Sequence, residues 1–501
     1  MTNETCPAVN RSSSQFPHQS SNRAGDLSSR RSSRGLPALR DKGLRFIGVF
    51  LFFVPLIVAA VGQGAEQPKD DGYRGIWYFN QPTKDEYRYK YSGGFATYPQ
   101  QMLPYAYYAK AVNKTFFCYG GRLKDKNELL HMVSYYDHAT GRVPRPTILL
   151  NKKTDDAHDN PTIMLDDDGH IWIFSAAHGT ARPSWIHRST KPYSVDEFEQ
   201  VLETNFSYPH PWWMPGKGFL FLHTRYKSGR GLFWMTSANG LQWSEPQSLA
   251  HIEMGDYQVT WRCGNRLATT FDYHPAPLGL NWRSNIYYLE TDDMGRSWRT
   301  VAGEPVKAPL TDAKNPALVY DSRAEGLLVY LKDLNFDADG RPVILYLTTK
   351  SFEPGPKSGP RSWFTLRWTG KEWVRRPFTT TDHNYDHGSL YIEPDGTWRI
   401  IAPTEPGPQP WATGGEMVLW TSRDQGETWT KVKQLTRNSA TNHTYARRPV
   451  DAHPDFYAFW ADGNPLELSE SRLYFTDKEG TRVWRLPPVM EGDFAKPEAA
   501  W

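Results

Sequence analysis

From about residue 98 to the C-terminus, apolar and polar positions alternate in short runs separated by turns rich in Gly, Asp and Asn. This period-two pattern predicts strands joined as hairpins, and the chain after residue 70 sustains no long helical period. The one helical candidate, Ser194 to Thr204, is short. The hairpins come in two phases. The first opens on Tyr, His, Asn or Pro, with openers at Tyr98, His158, Tyr208, Tyr257, Asn315, His387 and His453. The second follows each of these, as in FWMTSANGLQW, IYYLETDDMGRSW, MVLWTSRDQGETW and RLYFTDKEGTRVW. Thr291–Trp298 and Ser422–Trp429 fit the Asp-box S/T-x-D-x-G-x-x-W. There the Gly permits the tight turn, the Asp bonds its backbone, and the Trp fills the gap between neighbouring sheets.

Seven such double hairpins over about 420 residues give about 60 residues per unit, the spacing of a β-propeller with decorated loops. The expected fold is therefore all-β, a seven-bladed β-propeller of four-stranded antiparallel blades, spanning residues 66–501 as one domain. A large β-sandwich or β-helix is the competing architecture, and it lacks a reason for the two-phase alternation. Gly72–Phe79 is expected to supply a strand that closes the ring on the last blade. Pro354–Pro360 reads as a surface loop.

Residues 1–65 read differently. A Ser/Arg-rich front leads into the apolar run Phe46–Val61, followed by Gly62, Gly64 and Ala65. That run is shorter than the roughly 20 residues of a spanning helix and is interrupted by Pro55, so it reads as a cleaved secretory signal, with an uncleaved anchor as the alternative. A secreted or periplasmic chain without stable membrane association follows.

Composition adds two constraints. The 501 residues carry a formal charge of +3, much of it in the first 45, which gives no reason to expect nucleic acid as a partner. The 20 Trp and 27 Tyr suit strands and carbohydrate-facing surfaces, and a monomer acting on polysaccharide is expected. Of three cysteines, Cys6 leaves with the signal, so Cys118 and Cys263 remain as buried thiols or one bridge.

Candidate chemistry centres on HDNPTIMLDDDGHIWIFSAAH, His158 to His178. A hairpin returns to the end it started from, so these two histidines should lie side by side, poised for proton transfer or metal binding. In a propeller the residues that open first strands and close second strands meet at one face. The same argument brings Tyr208, His223 and Arg225, Tyr257 and His274, Asn315 and Lys332, His387 and Glu405, and His453 to that mouth.

The His158…DNP…DDDGHIWIF…His178-Gly pattern, Tyr208-Pro209 and the run Arg225-Tyr-Lys-Ser-Gly-Arg-Gly resemble the BNR-repeat polysaccharide lyases, especially the ulvan lyases. Arg283–Trp298 adds to the likeness, which covers most of residues 73–490. The gap between His178 and Tyr208 is shorter than in that family, and the runs DHNYDHGS and RRPVDAHPD are unlike it. The resemblance implies β-elimination on a uronic acid, of ulvan-like and sulfated polysaccharide. Arg225 would neutralise the carboxylate, His158 or His178 would take the α proton, and Tyr208 would protonate the leaving oxygen if its neighbours lower its pKa. Tyr257, Arg262, His274, Arg283 and His387 are the expected substrate contacts.

No cofactor is required for that chemistry. A structural calcium or zinc is an open option, at Asp382, His383, Asp386 and His387 or at Cys263 with His274, although neither set has the spacing of a defined zinc motif. Two other readings stand beside the lyase. One is a glycoside hydrolase, sialidase-like with Arg225, Arg283 and Arg447 on a carboxylate or rhamnosidase-like. The other is a non-catalytic glycan-binding propeller.

Overall fold

A computed structural model describes residues 66–501, Ser228 excepted; the segment read as a signal, with Cys6, lies outside the described residues. Seven antiparallel sheets follow one another along the chain, each built in sequence order from its own stretch. Blade 1 takes Ala106–Ala109, Lys114–Arg122, Leu129–Asp137 and Thr147–Asn151. Blade 2 takes Pro161–Leu165, Ile171–Ser175, Ser184–Ser189 and Phe198–Thr204. Blades 3 to 7 open on Ser207–Met214, Asp256–Cys263, Leu328–Phe336, Ser389–Ile392 and Asn442–Arg447. First strands of neighbouring blades touch one another, which makes them the inner wall of a ring. The strands are closely apolar because each sheet is covered on both faces by its neighbours.

The Asp-box turns form as read. Thr291 Oγ1 accepts the Gly295 amide at 3.1 Å, and Asp293 accepts the Ser297 amide at 3.0 Å. Gly295 has φ +80°, and a Cβ there would lie 2.5 Å from the indole of Trp234, so this turn packs directly on the blade before it. Trp298 is buried edge-on against the same Trp234, with ring centroids 5.5 Å apart.

Three hairpin assignments shift. Leu318–Tyr320, expected in the fifth unit, pairs instead with Ser284–Thr291 of blade 4. The outer strand of that blade is only Trp298–Arg299, and the added strand covers the backbone edge left open beside it. The first strand of blade 5 is therefore Leu328–Phe336, and Asn315 lies at the outer edge rather than at the mouth. In blade 7 the first strand is Asn442–Arg447, a polar NHTYAR with no apolar alternation, and His453 lies in the loop after it. Gly72–Phe79 adds no strand to the last blade. Its front half runs between the last blade and the first, the Gly75 amide donating to Ser471 O and the Ile76 amide to Gly120 O. The rest, Trp77–Pro82, pairs with Tyr89–Gly94 as a separate hairpin.

Candidate active site

Backbone geometry brings His158 and His178 together, as a hairpin must. Their rings stack with centroids 4.1 Å apart. His158 lies in a single helical turn, Ala157–Asp159, capped by Asp156, and His178 follows the second strand of the same blade. The side chain that organises them is Asp156. Its Oδ1 accepts from His158 Nδ1 at 2.6 Å and its Oδ2 from His178 Nδ1 at 2.8 Å. A carboxylate can only accept, so both imidazoles carry a proton on Nδ1, and Nε2 is the nitrogen that offers the lone pair in the neutral ring. Burial opposes the charge on Asp156, but the two imidazole N–H donors outweigh it and hold the group below the usual carboxylate range.

Asp159 braces the other side. It accepts the His178 amide at 2.6 Å, a two-pronged contact from Arg182 at 2.7 and 3.0 Å, and Lys152 at 3.3 Å. The two histidines then differ in what reaches Nε2. His158 is 5% exposed and takes the hydroxyls of Tyr98 at 2.5 Å and Tyr91 at 3.1 Å. His178 is 26% exposed, and its Nε2 has no hydrogen-bond partner among the described residues.

Burial, and after it the neighbouring His178, hold His158 down to about 4 from an ordinary 6.5. An unfolded chain takes up this proton below about 6.5 and the folded chain only below about 4. The neutral ring therefore stabilises the fold fully above that window, and the contribution is lost as pH falls through it. Denaturant unfolding of the wild type against His158→Gln should show an extra slope of about 1.4 kcal/mol per pH unit there. Equal slopes would mean the ring is not held neutral.

Blades 3 and 4 supply the facing wall. Tyr208 opens its strand with φ +51°, a strained backbone for a non-glycine residue and one that is found at functional sites. Its hydroxyl lies 3.4 Å from that of Tyr226 and 3.3 Å from that of Tyr257, and its ring is 6.2 Å from His158 and 6.3 Å from His178. The expectation that neighbours lower Tyr208 does not hold. Burial, with Tyr226 and Tyr257 beside it, pushes its hydroxyl well above 10, and Arg230 offsets only part of this. It stays a protonated donor.

Strand alternation settles which guanidinium faces this cluster. Arg225 follows Phe221 and His223 on one face of its strand, where its charge bears on buried His223. Tyr226 points the other way, and its cross-strand partner is Arg230. Arg230 Nε donates to the Tyr226 hydroxyl at 3.3 Å, and its guanidinium lies 5.1 Å from the Tyr226 ring and 5.9 Å from that of Tyr257.

The remaining expected contacts divide. His274 is buried edge-on to Tyr257 at 4.7 Å, with neither ring nitrogen hydrogen-bonded. Arg283 lies within a cage of Tyr257, Tyr330 and Tyr385 at 4.8, 4.6 and 5.5 Å, donates to the Tyr385 hydroxyl, and leaves Nε and Nη1 unpaired. His387 accepts from Arg447 Nη1 at 3.0 Å and stacks on Tyr445, apart from the Tyr208 cluster. Arg262 is at the far end of the strand that Tyr257 opens, five residues or about 16 Å away. There it donates to the Trp213 carbonyl at 2.6 Å.

Sequence reasoning missed Asp156, Tyr226, Arg230 and the N-terminal hairpin. Asp156 was readable as an acid two residues before His158, and Arg230 stands in the run already quoted for Arg225. The hairpin carried no blade signal. From it, Tyr78 packs edge-on to His158 at 5.4 Å and Tyr91 stacks on Tyr385 at 4.0 Å. Lys90 bonds Asn281, and burial, with Arg283 nearby, brings it down to about 7.

The side chains of the first metal set expected from sequence are engaged in hydrogen bonds. Asp382 accepts the Trp411 amide, Asp386 the His383 and Gly414 amides, and His383 Nε2 binds the Lys90 carbonyl. Cys118 is a buried free thiol, so it forms no bridge with Cys263. Among the described residues, ligand atoms converge at Asp156, His158 and His178 and at His138, His453 and Asp455. In the first set the N–O separations of 2.6 and 2.8 Å are those of hydrogen bonds, and they occupy both Nδ1 atoms.

Residues 105–381, just over half of the chain, match the model of the BNR repeat-containing family. The chain is 24% identical over 390 residues to an ulvan lyase of Nonlabens ulvanivorans, covering 68% of this chain and 79% of that protein. It is 23% identical over 414 residues to an ulvan lyase of Pseudoalteromonas sp. (strain PLSV), covering 73% and 81%. A solved ulvan lyase bound to -[GlcA(1-4)Rha3S]- superposes with a TM-score of 0.66 at 18% identity, over 82% of this chain and 96% of the other.

Proposed function

The chain belongs to the BNR repeat-containing family, and from the groups at its mouth we propose that it is a polysaccharide lyase acting by β-elimination on a uronic acid. The observation that carries this reading is the single carboxylate of Asp156, which accepts from Nδ1 of both imidazoles and holds their rings 6.2 and 6.3 Å from that of the protonated Tyr208. Elimination removes the proton α to the uronate carboxylate and expels the 4-linked oxygen, so it needs a neutraliser, a base and an acid. His178 is the base, because its Nε2 lone pair is open while that of His158 is held by Tyr98 and Tyr91. Tyr208 gives its proton to the departing oxygen. Arg230 pairs with the carboxylate and makes the α proton acidic. These steps need no cofactor.

The names of the relatives favour an ulvan-like substrate, and the apolar run before residue 66 favours secretion. Among the described residues no helix is long and apolar enough to cross a membrane. The sialidase-like arrangement is disfavoured, because its three arginines have no common partner. Arg447 is bound to His387 and to backbone carbonyls, Arg283 to Tyr385, and Arg225 lies on the His223 face.

Incubation with a panel of uronate polysaccharides should raise the ultraviolet absorbance of unsaturated uronate. New reducing ends without absorbance would make the chain a hydrolase. Glycan retention with neither product would make it a binding module. Within the lyase reading, Arg230→Ala should lower kcat/KM by about 10²–10³-fold, while Arg225→Ala should leave it within a few-fold of wild type. The reverse order would return the neutralising role to Arg225.

A further inference from the structure

The ring is closed without a shared strand: blade 1 is built wholly from residues 106–151 and blade 7 from 442–499. Across this seam the chain contributes a two-residue antiparallel pairing of Phe494–Ala495 with Val143–Pro144 and a short parallel bridge, Tyr107 to Val450, in which the Val450 amide donates to Ala106 O at 2.9 Å and the Tyr108 amide to Val450 O at 3.0 Å. Directly beside the bridge, a histidine from each blade meets the other. His138 directly follows the third strand of blade 1, Leu129–Asp137, and His453 lies in the loop between the first two strands of blade 7. Strand direction places both turns on the face opposite the mouth.

The ring centroids of His138 and His453 are 3.7 Å apart, with Tyr108 packed against both at 5.4 and 4.8 Å. His138 Nε2 is bound to Thr115 Oγ1 at 2.8 Å. His138 Nδ1 is buried and has no hydrogen-bond partner. Asp455 Oδ2 lies 3.8 Å from His453 Nδ1. One ligand atom from each of the three residues lies within 4.8 Å of the others. A buried ring nitrogen without a partner calls for one. Two imidazoles and a carboxylate are a zinc donor set. A ligating histidine commonly donates its other N–H to a nearby acceptor, and Thr115 is placed to receive it from Nε2.

We propose that His138, His453 and Asp455 bind one zinc ion that clasps the first blade to the last on the face away from the mouth. The ion takes Nδ1 of His138 and replaces the Asp455 amide, now 3.1 Å away, at Nδ1 of His453. Exposed Asp455 supplies the third ligand and water the fourth. The clasp joins the two ends of the ring, so its benefit is to closure and not to chemistry.

The test is equilibrium dialysis of the full chain against zinc, with metal counted per chain, alongside thermal unfolding. One zinc per chain and a raised midpoint are expected for the wild type. His138→Ala, His453→Ala and the mild surface change Asp455→Asn should each weaken binding at least tenfold and remove most of the shift. Thr115→Val should weaken it by roughly 10–100-fold. His178→Ala should bind zinc as the wild type does. The assignment is overturned if the wild type binds none, if Asp455→Asn and His453→Ala bind normally, or if His178→Ala abolishes binding, which would put the ion at the mouth.

Discussion

A Tyr208→Phe chain is expected to keep its fold and lose activity by about 10²–10⁴-fold, the range set by removing a general acid. The ring it retains fills the same buried site, edge-on to Tyr257 at 5.2 Å, so packing is conserved while the proton is removed. The hydroxyl lies 3.3 and 3.4 Å from those of Tyr257 and Tyr226, contacts weak enough that their loss costs the fold little. The loss should fall on kcat rather than KM, because the proton moves only as the glycosidic bond breaks. A substrate series separates this role from simple positioning. A leaving group of low pKa, such as an aryloxy group on C4 of the uronate, needs no proton and should be expelled by the variant and the wild type at similar rates. If the variant is equally impaired on both, Tyr208 does not act as the acid.

The ring and the histidine pair were legible because both follow from rules with a fixed period. Alternation of two and a tight turn force His158 and His178 to one edge whatever surrounds them. What failed was phase. Arg225 and Arg230 stand in the same run, and only the register Tyr226 to Arg230 shows which guanidinium shares a face with the tyrosines. Arg262 lies near Tyr257 in sequence, but a strand of eight residues carries its last side chains to the other end of the channel. Blade 7 was misplaced by about ten residues, since its inner strand packs polar side chains into the channel wall and offers no apolar stripe to read. The Tyr91 and Lys90 contributions come from a hairpin outside the blade pattern. Their meeting with Tyr385, nearly 300 residues away, rests on long-range packing that no local rule encodes.

Replacing Asp156 with asparagine should cost about 10³–10⁴-fold in activity, as expected when a catalytic histidine is put in the wrong tautomer. The carboxylate accepts from both imidazoles at once, and the amide cannot. One imidazole keeps its Nδ1–H on the amide oxygen. The other faces the amide NH₂, must accept at Nδ1, and so carries its proton on Nε2, where it can no longer take one from a sugar. Which histidine is flipped decides the outcome. His158 is held at Nε2 by two tyrosine hydroxyls that donate to it and keep its proton on Nδ1, whereas His178 Nε2 has no partner among the described residues, so His178 is the ring that flips and the base is lost. Two further variants distinguish the cases. His178→Ala should be as inactive as Asp156→Asn, and the double variant no worse, because both remove one base. Additive losses would mean that Asp156 acts on catalysis through His158 as well. Nitrogen NMR of the imidazoles reads the tautomers directly: the wild type should show both rings protonated on Nδ1. A wild-type His178 protonated on Nε2 would remove it as the base, and the open lone pair on which the whole elimination scheme depends would be absent.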